Sequence, residues 1–303
     1  MDEQVKTIIE SYTLNAYQVA LISICVSVLT FLLTNWLKNY FENKLLQRNL
    51  ETEHKFEQQK KIKEAIAKYK VHLLTACEDV NHRFWNLSSN HHRDWMKING
   101  DYGREHYYFH STVYKLLYLY AWVGKIKKEM IYLDTTIASK EDLEFIKFLK
   151  FFPNVMCDLT FIVGKDADGD YAVDHFFRTN FELLPDCISD REGPKSYADY
   201  KINIPNLQND LQSIYTYIDG VSPIENRMRW DRLHLLHLTT IIFLNNYGYD
   251  FQQTDDKKIE EVLAKPKVSI YTKNYFNFLK EYKLDDNKEV KRMENIAKKY
   301  YAS

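Results

Sequence analysis

Apolar positions along this chain follow two different patterns. Between Glu10 and Lys38 no residue is charged, and the core of that run reads AYQVALISICVSVLTFLLTNWL over residues 16–37. About 20 mainly apolar residues suffice for a helix to cross the roughly 30 Å hydrocarbon layer of a bilayer, so this run predicts a transmembrane helix. Tyr12 and Tyr17 lie at one end and Trp36 and Tyr40 at the other, where aromatic belts meet the two interfaces. A cleaved signal peptide fits poorly, because the leading MDEQVKTIIESY is acidic and no small-x-small cleavage site is present. After the span the sequence KNYFENKLLQRNLETEHKFEQQKKIKEAIAKYK is largely charged and free of Gly and Pro. Such a stretch favours a solvated helix, and predicts a helical stalk over residues 38–61. Helical periodicity then resumes at Ile62, Ile66, Tyr69 and Leu73, which marks entry into a packed domain over 62–303.

Within the span, every Ala, Ser and Thr falls at Ala16, Ala20, Ser23, Ser27, Thr30 and Thr34. Steps of four and three place all six on one face, the spacing of a left-handed coiled-coil seam. The neighbouring rows, Tyr17-Leu21-Ile24-Val28-Phe31 and Val19-Ile22-Val26-Leu29-Leu33, are bulky. Small residues let membrane helices approach closely, and hydroxyls can bond across the contact. The seam therefore has two readings: a packing face in a dimer or trimer, or a weakly polar stripe facing the axis of a larger ring and lining a pore. Both require self-association.

The flanks set an orientation. Lys38, Lys44 and Arg48 follow the span, whereas Lys6 alone precedes it among several acids. The positive-inside rule then places the N-terminus outside and the C-terminal mass in the cytoplasm, and the expectation is a single-pass protein of the inner (cytoplasmic) membrane. In the leader, residues 1–15, Val5, Ile8, Ile9 and Tyr12 share a helical face, predicting a short extracytoplasmic amphipathic segment.

Beyond residue 100 the pattern predicts helices over 105–133, over 140–163 with a bend at Pro153, and after Asp170. The stretch SDREGPKSYADYKINIPN reads as a loop with a short extended piece at 200–204. Helices follow over 207–219, from Ser222 to about 247, over 268–282 and over 287–301. Ser222-Pro223-Ile224-Glu225 is a capping box with Pro at the first helical position. Composition agrees with this all-α reading. Only 8 Gly and 6 Pro occur in 303 residues, and both residues are poor in helix interiors. Lys+Arg (41) and Asp+Glu (42) nearly cancel, so an anion site must come from local clustering rather than from overall charge. Cys25, Cys77, Cys157 and Cys187 form no CxxC pair, which argues against a zinc framework or disulfide ladder.

Candidate chemistry is sparse. KDADGDY at 165–171 spaces three carboxylates like a calcium loop, but Tyr171 and Phe177 occupy the positions that need Gly and Glu, so a turn capped by Asp170 is the better reading. Asn90-His91-His92-Arg93-Asp94 lacks a second ligand pair at helical spacing and predicts no metal site. The densest cluster is Arg227, Arg229, Trp230, Arg232 and His237, near a helix start. Guanidiniums beside an aromatic plane suit phosphates and a stacked base, while ion pairing with Glu225 and Asp231 accounts for the same residues structurally. Arg178 is a further isolated candidate. Arg229 and His234 also resemble the Arg-x(4–6)-His motif of HEPN ribonucleases, which would make that pair catalytic in a membrane-anchored ribonuclease. The same spacing recurs at Arg48/His54, Arg104/His110 and Arg232/His237, and Trp230 stands where that family has Asn or His. A P-loop, GxGxxG, nucleophile elbow and HExxH are all absent, and no cofactor is expected.

In layout, the span AYQVALISICVSVLTFLLT followed by its stalk and a large helical domain resembles membrane effectors of bacterial anti-phage defence, including the Hailong type. The resemblance implies a homo-oligomer, a tetramer among the options, embedded in the lipid bilayer. It further implies that a nucleotide or short oligonucleotide signal binds the cytosolic helical sensor domain and opens a pore lined by Ser23, Ser27, Thr30 and Thr34. A non-catalytic scaffold that dimerises through its span is the plainer alternative.

Overall fold

The structure, a computed structural model of the chain, describes residues 15–162 and 174–302. The first 14 residues of the leader and the run KDADGDY lie outside the described residues. Contacts divide the chain into two units, Met1–Glu57 and Gln58–Ser303. Ten α-helices, with short 3-10 turns between them, account for the fold among the described residues, and no strand forms there. The protein is all-α.

Helix α1 (Ala16–Asn90) supplies the described part of the first unit and the opening element of the second. Residues 16–37 are exposed throughout, and the segment is long and apolar enough to cross a membrane. Burial begins at Ile62 and repeats at Ile66, Tyr69, Leu73, Cys77, Val80, Phe84 and Leu87, the three-and-four spacing of one helical face.

The second unit continues with α2 (Tyr107–Met130), α3 (Lys140–Cys157) and the short α4 (Arg178–Leu183). Then come α5 (Tyr197–Leu207), α6 (Gln212–Ile218), α7 (Arg229–Tyr247), α8 (Asp256–Leu263), α9 (Ser269–Glu281) and α10 (Lys288–Ala302). At the start of α3, Ser139 Oγ accepts from the Asp142 N–H at 3.2 Å, and Pro153 sits inside the helix without ending it. Helix α7 is buried around nearly its whole circumference, as only a central helix can be. Phe145, Phe148 and Phe152 of α3 meet its Phe243 ring at centroid distances of 5.4, 6.0 and 5.4 Å. Phe161 and α9's Phe278 extend the same aromatic packing at 4.9 Å.

Several elements differ from the sequence expectation: α3 ends at Cys157 rather than running to 163, and α6 starts at Gln212 rather than at 207. Residues 197–207 are helical rather than a loop with an extended piece. Ser196 caps α5 by accepting from Asp199 N–H at 3.2 Å, and Tyr200 and Ile204, one turn apart, are buried on its inner face. Helix α7 starts at Arg229 rather than at Pro223. The capping-box bond from Ser222 N–H to Glu225 forms at 3.2 Å, but Glu225 also binds Arg229, and residues 223–228 stay in turns. Helix α8, capped by Asp255, is an amphipathic piece too short to announce itself by periodicity.

One carboxylate closes the turn before α2 onto the end of α6. Asp219 Oδ1 accepts the N–H groups of Ile98 (2.9 Å) and Asn99 (3.2 Å), and its Oδ2 accepts that of Gly100 (2.7 Å). Gly100 takes φ +82°, a conformation L side chains rarely adopt, so that its N–H can reach the carboxylate. Hydrogen bonds to a charged acceptor contribute about 1.5–3 kcal/mol. Asp219→Ala is expected to lower unfolding free energy by about 2 kcal/mol in denaturant titration, and Asp219→Asn by less. Loss below about 0.5 kcal/mol contradicts this clamp.

Candidate functional site

In the apolar part of α1 three of the four seam hydroxyls turn back on their own helix. Ser27 Oγ donates to Ser23 O (2.8 Å), Thr30 Oγ1 to Val26 O (2.8 Å) and Thr34 Oγ1 to Thr30 O (2.7 Å). Each proton is thereby satisfied within the helix, while the hydroxyl oxygens keep lone pairs for a neighbour or water. Ala16, Ala20 and Ser23 complete the stripe, and the whole segment is exposed.

The arginine cluster has a different fate. Arg229, 4% exposed, places Nε 2.8 and 2.9 Å from the two Glu225 oxygens and donates through Nη1 to Thr216 O (3.1 Å) and Tyr217 O (2.6 Å). Those are carbonyls of the last turn of α6. Arg232, 1% exposed, donates to Val155 O (2.7 Å), Asp158 O (2.9 Å) and Asp174 O (2.8 Å), tying off the end of α3. Among the described residues no carboxylate makes an ion pair with it, and burial lowers its pKa while Asp158 and Asp174 partly offset that. Trp230 is buried, with its indole N–H on Lys265 O at 3.0 Å. Arg227 pairs with Asp174 at 3.2 Å beside a cavity of about 750 Å³, and Arg178 pairs with Glu182 one turn along α4 at 2.9 Å. The sequence cluster is thus brought together in space, but its two best guanidiniums face carbonyls in the interior rather than solvent.

The two histidines of α7 are buried as well. His237 Nε2 donates to Asn81 Oδ1 at 2.7 Å and His234 Nδ1 to Trp230 O at 2.8 Å. Nδ1 of His237 and Nε2 of His234 have no hydrogen-bond partner among the described residues. Each ring is therefore neutral with one bare nitrogen, and burial pushes His234 down to about 4 and His237 well below its ordinary value. An RNA phosphate would have to displace the packing of α7 to reach Arg229 and His234 together. His91 and His92 occupy a 3-10 turn, His91 Nδ1 bonding Ser88 O at 2.9 Å. At the surface, Asp101, Glu105 and His106 bring three potential metal-ligand atoms within 4.8 Å of one another.

Sequence reasoning missed a cleft of about 720 Å³ in the second unit, between α2, α3 and residues 181–193. Ile146, Leu149, Lys150 and Pro153 present one face of α3 to it, and Gly124, Lys125 and Lys128 one face of α2. The available signal was the run GKIKK at 124–128, which puts a glycine and lysines at helical spacing on α2.

Comparison with known protein families, curated proteins and solved structures finds no match to this chain.

The histidine geometry fixes an acid response. Between pH 6.5 and 4 the unfolded chain takes up protons that folded His234 refuses, so stability is full above pH 6.5 and falls as pH drops toward 4. The loss for that residue is roughly 3 kcal/mol. Chemical denaturation at pH 7.0 and 4.5 measures it, and His234→Leu with His237→Leu should flatten the difference. An unchanged pH dependence in that double variant contradicts the assignment.

Proposed function

We propose that this chain is an oligomeric membrane effector, of the kind that serves bacterial anti-phage defence. Its spans assemble through the Ala16-Ala20-Ser23-Ser27-Thr30-Thr34 face into an ion-conducting pore. The observation that carries this reading is the segregation of every small or hydroxylated residue of the span onto one stripe, with bulky rows on either side. An isolated anchor needs no such stripe, because lipid tails solvate any apolar face equally. Internal satisfaction of the Ser27, Thr30 and Thr34 protons supports a role at a helix contact or a wetted axis, since neither leaves a donor stranded in hydrocarbon.

In this reading the span lies in the inner membrane with the N-terminus outside, following the Lys38, Lys44 and Arg48 flank. The helical unit from Gln58 onward is cytoplasmic, and binding of a nucleotide or oligonucleotide there biases the pore toward its open state. The buried positions of Arg229 and Arg232 argue for a ligand site elsewhere in that unit.

Planar-bilayer recording of the purified full chain tests the pore. Discrete conductance steps are expected, and they should disappear in Ser27→Leu/Thr30→Leu, which makes the span more apolar, so membrane insertion is retained. A silent wild-type chain, or steps that survive both substitutions, speaks for a scaffold that merely dimerises.

A further inference from the structure

The cleft beside α2 combines an aliphatic floor with an excess of positive charge. Its volume of about 720 Å³ lies in the roughly 300–1,000 Å³ range of small-molecule sites. Val123, Ile146, Leu149, Pro153 and Pro185 supply apolar surface, and five basic side chains stand against three acidic ones, a formal excess of two. Two of the acids are consumed locally. Lys127 pairs with Glu182 at 3.1 Å and Lys128 with Asp186 at 3.2 Å, and both lysines also suit the negative end of α2. The third, Asp190, accepts the N–H groups of Glu192 (2.8 Å) and Gly193 (3.2 Å) in its own turn. Among the described residues Lys125 donates to a neutral partner, the Arg191 carbonyl, at 2.6 Å. Lys150 and Arg191 have no carboxylate within ion-pair distance among the described residues. Three cations thus border the cleft without a direct ion pair among the described residues, although Lys125 also lies near enough to Glu129 and Asp190 to favour their charged forms.

A second observation concerns room rather than charge. Among the described residues Gly124 is the only glycine inside a helix, where glycine costs about 0.5–1 kcal/mol relative to alanine. A Cβ built there meets no atom within 4 Å, so packing within the chain does not demand glycine. The space it keeps open belongs to the cleft.

We infer that this cleft binds a small phosphate monoester with an apolar or aromatic organic group, its phosphate held by Lys125, Lys150 and Arg191 and its body lying over Gly124 and the α3 face. At neutral pH such a phosphate carries close to two negative charges, which matches the excess of positive charge. The site stands whether or not the spans conduct ions, and its test involves no conductance.

Isothermal titration calorimetry of the full chain in detergent, with phenyl phosphate and adenosine monophosphate as probes, decides the matter. Phenol and inorganic phosphate are the controls. At least one monoester should bind saturably and roughly tenfold or more tighter than either control, a difference of about 1.4 kcal/mol. Preference for adenosine monophosphate identifies a nucleotide-type ligand, and preference for phenyl phosphate a simpler aryl or alkyl ester. Gly124→Leu should abolish binding by filling the cleft, and Lys150→Glu/Arg191→Glu should abolish it by reversing charge, with circular dichroism unchanged in both. Gly124→Ala separately reports folding, with an unaltered or higher melting temperature. No saturable binding by either monoester, equal binding of inorganic phosphate, or binding that survives both folded variants overturns the site.

Discussion

Helix ends buried inside a protein must find donors for their last carbonyls, and much of this fold depends on how two arginines meet that need. The final turns of α3 and α6 stop at partly buried positions, where only some of their last carbonyls can reach water. Arg232 binds the Val155 and Asp158 carbonyls at the first, and Arg229 binds those of Thr216 and Tyr217 at the second. Both arginines stand on the first turn of α7, the helix around which the second unit packs. One turn of one helix thus fixes where three helices meet. A planar guanidinium with several donors suits this task better than a lysine, whose single ammonium cannot span carbonyls on separate segments.

That role also explains why the sequence pointed toward a binding site. Arginines beside a tryptophan near a helix start have the composition of a phosphate-and-base site, and nothing in a linear string distinguishes donors aimed outward from donors aimed inward. Burial decides it. The apolar neighbours Leu233, Leu235, Leu236 and Leu238 interleave with polar residues on every face of α7, and that was the legible hint that this helix has no solvent side.

Other parts of the fold were legible because a single strong signal governed them. The apolar run at 16–37 and the return of core periodicity at Ile62 each follow from one physical requirement, and the all-α class follows from the scarcity of Gly and Pro. Helix α5 was not legible, because Gly193 and Pro194 precede it, Pro205 sits inside it, and its support comes from Ser196 and two buried residues, Tyr200 and Ile204. The start of α7 was misplaced because a local capping pair formed its bond while Glu225 also pairs with Arg229 four residues on, and residues 223–228 do not continue into the helix. The cleft beside α2 required three separated segments to converge, and only the glycine and lysines of GKIKK marked it in advance.

In the proposed function the apolar segment at 16–37 is the feature on which activity turns, because its six small residues give it a face that a simple tether does not need. Self-association through that face is the central claim, and the number of copies in one particle measures it most directly. Native mass spectrometry of the full chain released from mild detergent should show a closed assembly of four or more copies, reduced by Ser27→Leu/Thr30→Leu. A wild-type chain that is monomeric under the same conditions contradicts the account.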